Sequence, residues 1–486
     1  MKHVMSHRAW PALAALSLLV APAPARAQAP AEPRRTATDE RRPTAASVPL
    51  MLQGAVPEGE PSTEELPLSL RDAIARGLRQ NLGVLETSQA VRQARATRDE
   101  KRADILPNLS GHVSETREKI NLAAFGFTGL PGTENFPTIV GPFNVFDARL
   151  AVSQTVFDVH ALQRVRAESH NLRAAQFAAE NTRDLVVLVV GNLYLRVGAA
   201  ESQLTAAREQ RAAADSLFQL ASDRKSAGLV AGIEVLRAQV QLQQRKEREL
   251  SAANQLEKAK LDLARAIGLP LGQRFAITDR LTFTPPPPMT VEQAMTRAYE
   301  ARADWKEAQA RLQAAEASRR SARGELLPTL NVGADYGQIG PSLGEAEGTF
   351  TLNATVRVPL FEGGRAQARV AEADAVLEQR RAEARELQAR IHYEVEAAFL
   401  DLSSAAARVE VAQSAAELAT QQLEQAQDRF KAGVAGNIDV VQAQDALAAS
   451  RDAYVASVFD HNMAKALLAR SLGLAEEAVA QFLGGR

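Results

Sequence analysis

Residues 349–360 read Thr-Phe-Thr-Leu-Asn-Ala-Thr-Val-Arg-Val-Pro-Leu. Phe350, Leu352, Ala354, Val356, Val358 and Leu360 alternate with Thr349, Thr351, Asn353, Thr355 and Arg357. Period two over about ten residues marks a strand with one apolar and one polar face. Upstream, across a Gly/Pro/Ser-rich connection, Leu330, Val332, Ala334 and Tyr336 alternate with Asn331, Gly333, Asp335 and Gly337. These two strands, at 329–337 and 349–360, have an earlier pair at 108–116 and 146–157. There Phe146, Ala148, Leu150 and Val152 oppose Asp147, Arg149, Ala151 and Ser153. The 108–116 strand is weaker, because Gly111 and Glu115 share the face of Leu109 and Val113.

The recurrence extends along the chain. Leu106-Pro107-Asn108-Leu109 returns as Leu327-Pro328-Thr329-Leu330, and the same spacing carries the capping box Ser69-x-x-Asp72 onto Thr290-x-x-Gln293. A slightly shorter spacing maps Lys225 to Leu229 onto Phe430 to Val434, and Leu263 to Leu269 onto Leu468 to Leu474. An insertion near 117–145 of the first copy accounts for most of the difference. The expected organisation is a segment 1–27, a disordered stretch 28–66, a first repeat 67–284 with its tip near 226–232, a Pro linker 285–288, a second repeat 289–476 with its tip near 431–437, and a tail 477–486.

Segment 1–27 reads as an export signal: Lys2, His3 and Arg8 precede an apolar run, and Ala25-Arg26-Ala27 gives a small-x-small cleavage pattern. The remaining composition narrows the choice of class. Lys+Arg 57 against Asp+Glu 58 argues against a nucleic-acid binder. The absence of Cys removes disulfides, thiolate metal sites and a lipidated N-terminal Cys. The aromatic share of 5% favours long helices over a large all-β globule.

The helical stretches have a coiled-coil rhythm. Leu402, Ala405, Val409, Ala412, Ala416, Ala419, Leu423, Ala426 and Phe430 follow an unbroken 3-4 spacing, and Val197, Ala200, Leu204 and Ala207 begin the same seam in the first half. The first long helix is expected from Asp158 to Ser226, about 100 Å long at about 1.5 Å per residue. The helix returning from the Gly228 turn ends near Ala266 and covers half that distance; a helix over Val84 to Ile105 fills most of the rest. One long arm and two stacked short ones, made twice, describe a long helical tube. Four strands cannot close around a water-filled lumen, and unpaired edges are prohibitively costly in lipid. Either the chain is a soluble β-sandwich with helices, or several copies pool their strands.

At these residues the chain resembles the TolC-like outer-membrane efflux protein family. The similarity rests on the two Leu-Pro-x-Leu strand starts, on Val358-Pro359-Leu360-Phe361-Glu362-Gly363-Gly364, on Arg429 to Gly433 and on Ile438-Asp439-Val440. It implies a mainly α chain with a transmembrane β-barrel portion, built as two tandem repeats of long coiled-coil helices plus β-hairpins. It also implies a homotrimer with an α-barrel and a twelve-stranded β-barrel in outer-membrane lipid, acting as the exit duct of a tripartite efflux pump or type I secretion system. The partners implied are a periplasmic adaptor (membrane fusion protein) and an inner-membrane pump, with no cofactor. Thr155-Val156-Phe157-Asp158 lacks the Pro and Gly-Gly of the second copy, and Leu122 to Asn144 forms an unusually apolar outer loop with Phe125, Phe127, Pro131, Phe136 and Pro142.

The site residues expected are few. The turns Ala227-Gly228-Leu229 and Ala432-Gly433-Val434 need glycine as left-handed helix caps, and the resemblance adds adaptor docking to that structural role. Glu234 and Asp439 open the returning helices; each complements a helix N-terminus, and threefold symmetry would gather them into an acidic ring at the tunnel mouth. Phe430 and Ala435 offer neither hydroxyl nor base for a polar tip latch. Arg149 and Arg357 lie on polar strand faces and read as solvated lumen charge. Arg92, Arg95, Arg98, Lys101 and Arg102 form a basic, solvated helix face. No zinc, phosphate-loop or nucleophile motif occurs, so no enzyme is expected. The alternatives are a periplasmic coiled-coil adaptor, which would lack the strands, and a soluble scaffold, which would extract without detergent.

Overall fold

The computed structural model describes residues 54–125, 137–270, 272–279, 283–285, 288–434 and 436–476. Residues 1–53, 126–136, 271, 280–282, 286–287, 435 and 477–486 lie outside the described residues, and with them the expected export signal, the centre of the expected outer loop and the expected tail.

The first repeat runs β1 (Leu66–Leu68), α1 (Leu70–Gln80), α2 (Leu82–Ala103), β2 (Asn108–Asn121), β3 (Ile139–Phe157), α3 (Val159–Ser226), α4 (Gly232–Ile267) and β4 (Phe275–Ile277). The second runs α5 (Val291–Ala301), α6 (Ala303–Gly324), β5 (Thr329–Gly340), β6 (Glu347–Arg357), α7 (Arg365–Lys431) and α8 (Asn437–Ser471). The long arms have 68 and 67 residues. α2 and α4 both pack on α3, while α6 and α8 lie between α3 and α7. Gly268, just past α4, abuts Gln80 before α2, and Gly473, just past α8, abuts Arg302 before α6. Each pair of short helices is therefore stacked end to end beside a long one, as the Gly turns and lengths predict.

Both repeats place a core at this stacking level, from matching positions. Val186, Val190, Val197, Leu263 and Ile267 pack with α1 in the first. Ile391, Val395, Leu402, Leu468 and Leu472 pack with α5 in the second. The apolar stretch of α3 around Val186 to Val190 belongs to this core.

Four strands form one antiparallel sheet in the order β2-β3-β5-β6, leaving β2 and β6 as edges. The first hairpin is longer than expected: residues 117–121 and 139–145 of the insertion continue the ladder past the expected ends at 116 and 146. Alternation fails there because Glu115, Arg117 and Asn144 share the apolar row, which hides the strand from pattern reading. Val358 to Leu360 fall outside β6, where Pro359 cannot donate to a ladder.

Residues 54–66 correct a second expectation, that of disorder over 28–66. Val56 N donates to Gln80 O at 2.9 Å, Glu58 N to Gly268 O at 3.2 Å and Leu66 N to Arg274 O at 3.0 Å. Low hydrophobicity concealed a segment held by backbone bonds across the α4–α2 junction. The capping boxes also differ: Thr290 and Gln293 form the full reciprocal box, while at Ser69 the Asp72 N–H donates to Ser69 Oγ and the Asp72 carboxylate accepts from the Ser69 hydroxyl in place of its backbone N–H.

Candidate functional site

At both tips the helix ends in a Schellman motif. Leu229 N donates to Arg224 O at 2.8 Å and Gly228 N to Lys225 O at 2.9 Å; Val434 N donates to Arg429 O and Gly433 N to Phe430 O, each at 3.1 Å. Gly228 and Gly433 have φ of +74° and +75°, which costs an L side chain roughly 1–2 kcal/mol. Nothing lies within 4 Å of a Cβ built at either, so conformation alone demands the glycine. Ala227 and Ala432 are the C-caps, and Leu229 and Val434 project bare from the turns, 74% and 69% exposed.

Glu234 and Asp439 stand in the first turns of α4 and α8, at the favourable helix ends. Glu234 is not a free charge, because Arg237 contacts its carboxylate at 2.8 Å. One tip contact escapes sequence reading altogether: the Arg224 guanidinium lies 4.3 Å from the centre of the Phe430 ring, joining the last turns of α3 and α7. Nothing in either repeat alone signals it, since the partners come from different arms.

The sheet separates two surfaces. On one, Leu109, Val113, Leu150, Val152, Tyr336, Phe350, Leu352 and Val356 form a mainly apolar face interrupted by Gln154 and Gln338, with Phe350 73% and Leu352 75% exposed. The other carries Ser110, His112, Ser114, Arg149, Ser153, Asn331, Asp335, Thr351, Asn353, Thr355 and, at the helical end, Arg357. Arg149 keeps about a quarter of its side chain exposed and is also ion-paired. Its Nε donates to Asp147 at 2.7 Å and its Nη1 to Asp335 at 2.8 Å, with its stem lying over Gly337, where any Cβ would overlap it.

The barrel-to-helix junctions use different devices. Asp158 caps α3 by accepting from Ala161 N at 3.0 Å, whereas Gly363 and Gly364, at φ +64° and +83°, turn the chain into α7. The first junction is thus sharply defined despite lacking Pro and Gly-Gly. The basic face of α2 is partly paired within itself, Arg98 with Asp99 and Lys101 with Glu100. Among the described residues no group of three or more His, Asp or Glu could hold a metal ion.

The comparisons with known proteins agree with this geometry. The family model described as "Outer membrane efflux protein" matches residues 73–269 and again 294–484. The pyoverdine export outer membrane protein OpmQ of Pseudomonas aeruginosa is 27% identical over 379 residues, which cover 75% of this chain and 76% of that protein. Its counterpart in Pseudomonas putida is 25% identical over 396 residues, covering 79% and 81%. The crystal structure of the Campylobacter jejuni CmeC outer membrane channel superposes with a TM-score of 0.72 at 16% identity, covering 85% of this chain and 88% of that one.

Proposed function

This chain belongs to the outer membrane efflux protein family, and from that premise we propose that a periplasmic adaptor docks at its helical tips and opens them to cargo from an inner-membrane pump. The protein is an outer-membrane exit duct of a tripartite efflux system with the TolC-like fold, not an enzyme. The family is trimeric and works with adaptor and pump partners. Three chains supply four strands each, which removes both sheet edges and turns the apolar face to lipid and the polar face to water.

The observation that carries the docking proposal is the pair of matching Schellman turns with bare Leu229 and Val434 at the far end of the helices from the sheet. They offer two similar small-residue knobs per chain for one adaptor surface. Glu234 and Asp439, just inside the turns, are the proposed gate, and Arg149 and Arg357 line the lumen. Pyoverdine export by the two relatives supports a cargo of that kind.

The test is Gly433→Pro, which removes the Gly433 N–H and cannot adopt positive φ. The trimer and its detergent-solubilised mobility are expected to persist, while export in cells and adaptor cross-linking at the tip are lost. Normal export by that variant would remove the tips from the mechanism.

A further inference from the structure

Charge is spread unevenly along the polar face of the sheet. Glu118 lies outermost, Asp147 and Glu347 share a row further in, Arg149 occupies the next with His112 opposite, and Asp335 the one after that. Both aspartates share the single Arg149 guanidinium, and Glu347 makes no ion pair among the described residues. From there toward the helices the rows carry hydroxyl and amide side chains until Arg357.

We propose that Arg149 sets the ion preference of the barrel near its outer mouth. In each chain it offsets one of four carboxylates (Asp147, Asp335, Glu347 and Glu118), so the assembled wall holds a belt of net negative charge over a neutral, hydroxyl-lined shaft. Rings of charged side chains select ions by sign in this way. Arg149 is suited to the role because it cannot swing away. Two carboxylates on different strands grip it, and Gly337 leaves a groove for its stem, so its charge stays against the wall. The belt favours cations and disfavours anions moving outward. This inference rests on the channel reading and on the polar face being the lumen.

The experiment uses the purified trimer in planar lipid bilayers, with the reversal potential read in a KCl gradient. A Glu234→Gln/Asp439→Asn background keeps the tip carboxylates from setting the ratio. Cation preference is expected in that background. Arg149→Gln should raise the potassium-to-chloride permeability ratio about twofold or more, Arg149→Lys should leave it near the background value, and Asp147→Asn/Asp335→Asn should lower it below the background value. Equal ratios in Arg149→Gln and the Asn pair, with conductance retained, would overturn the proposal. Absence of conductance in the background trimer even with its adaptor bound at the tips would defeat the channel reading itself.

Discussion

The helical wall is interrupted twice, where α4 gives way to α2 and where α8 gives way to α6, and the two breaks are closed with opposite chemistry. At the first, Asn81 is fully buried and caps α2 by accepting from Gly83 N at 3.0 Å. Residues 54–58 lie across the gap, and the Tyr194 hydroxyl shares its one proton between Leu68 O at 3.0 Å and the Asp279 carboxylate at 2.9 Å. At the second, the position matching Asn81 is Arg302, only 2% exposed. It pairs with Asp304 at 2.6 Å and Glu394 at 2.7 Å, and donates to Ser471 O at the end of α8. Burial works against the Arg302 charge, but its two carboxylate partners outweigh it and its pKa is raised. Burial likewise pushes the Asp304 carboxyl up, and Arg302, with Arg470 and the Trp305 N–H, more than reverses that. Glu394 matches Val189 of the first core, so the same backbone accepts a dry junction and an ionic one. A cavity of about 690 Å³ lined by Asp304, Glu307, Arg311, Arg390, Glu394 and Arg470 adjoins the ionic one. The lesson is that duplicated cores tolerate a change of chemistry at the helix ends, where backbone groups need partners of any kind, while keeping the apolar positions between them.

The strongest way to break this symmetry is Arg302→Ala. It strands two carboxylates and should cost about 3–5 kcal/mol, seen as a lower trimer melting temperature in detergent. The change Arg302→Asn/Asp304→Gly/Glu394→Val writes the first junction into the second and should recover most of that loss. A triple variant as unstable as Arg302→Ala would mean that packing, and not charge, distinguishes the two breaks.

The ionic side has a further weak point in Asp184, whose carboxyl is pushed up to about 6, chiefly by burial, with the charge of Arg470 opposing. The folded chain holds this proton more tightly than the unfolded one, so the cost of ionisation is absent below about pH 4 and complete above about pH 6. Asp184→Asn should therefore stabilise the trimer at pH 7.5 by roughly 1–2 kcal/mol, allowing for partial solvent screening, and by nothing at pH 4. A pH-independent effect in melting curves would discount burial as the cause. On the dry side, Tyr194→Phe should cost about 1 kcal/mol, since it removes the hydroxyl but keeps the ring. An unchanged melting temperature there would show that water takes the place of the hydroxyl.

Much of this was legible in residue order. Period-two alternation located three strands and the repeated Leu-Pro-x-Leu start the weaker fourth, the 3-4 spacing located both long arms, and the repeated Gly turns located both tips, because each signal is local. What stayed hidden was made by distant pairs. The pairing of Arg302 with Glu394, and of Arg149 with Asp335 on another strand, leaves no mark in local spacing. Residues 54–66 carry no pattern because their partners are backbone atoms of α1 and of the turn at Gly268.

The unpaired margins of β2 and β6 bear on heredity as well as on architecture. A wall assembled from three identical contributions cannot sort good copies from bad while it closes. When a faulty allele with an intact sheet, such as one altered at Gly433, is expressed beside a sound one, pure assemblies decline as the cube of the sound fraction. Such alleles should behave as dominant negatives, whereas alleles that spoil a sheet margin should drop out of assembly and behave as recessive.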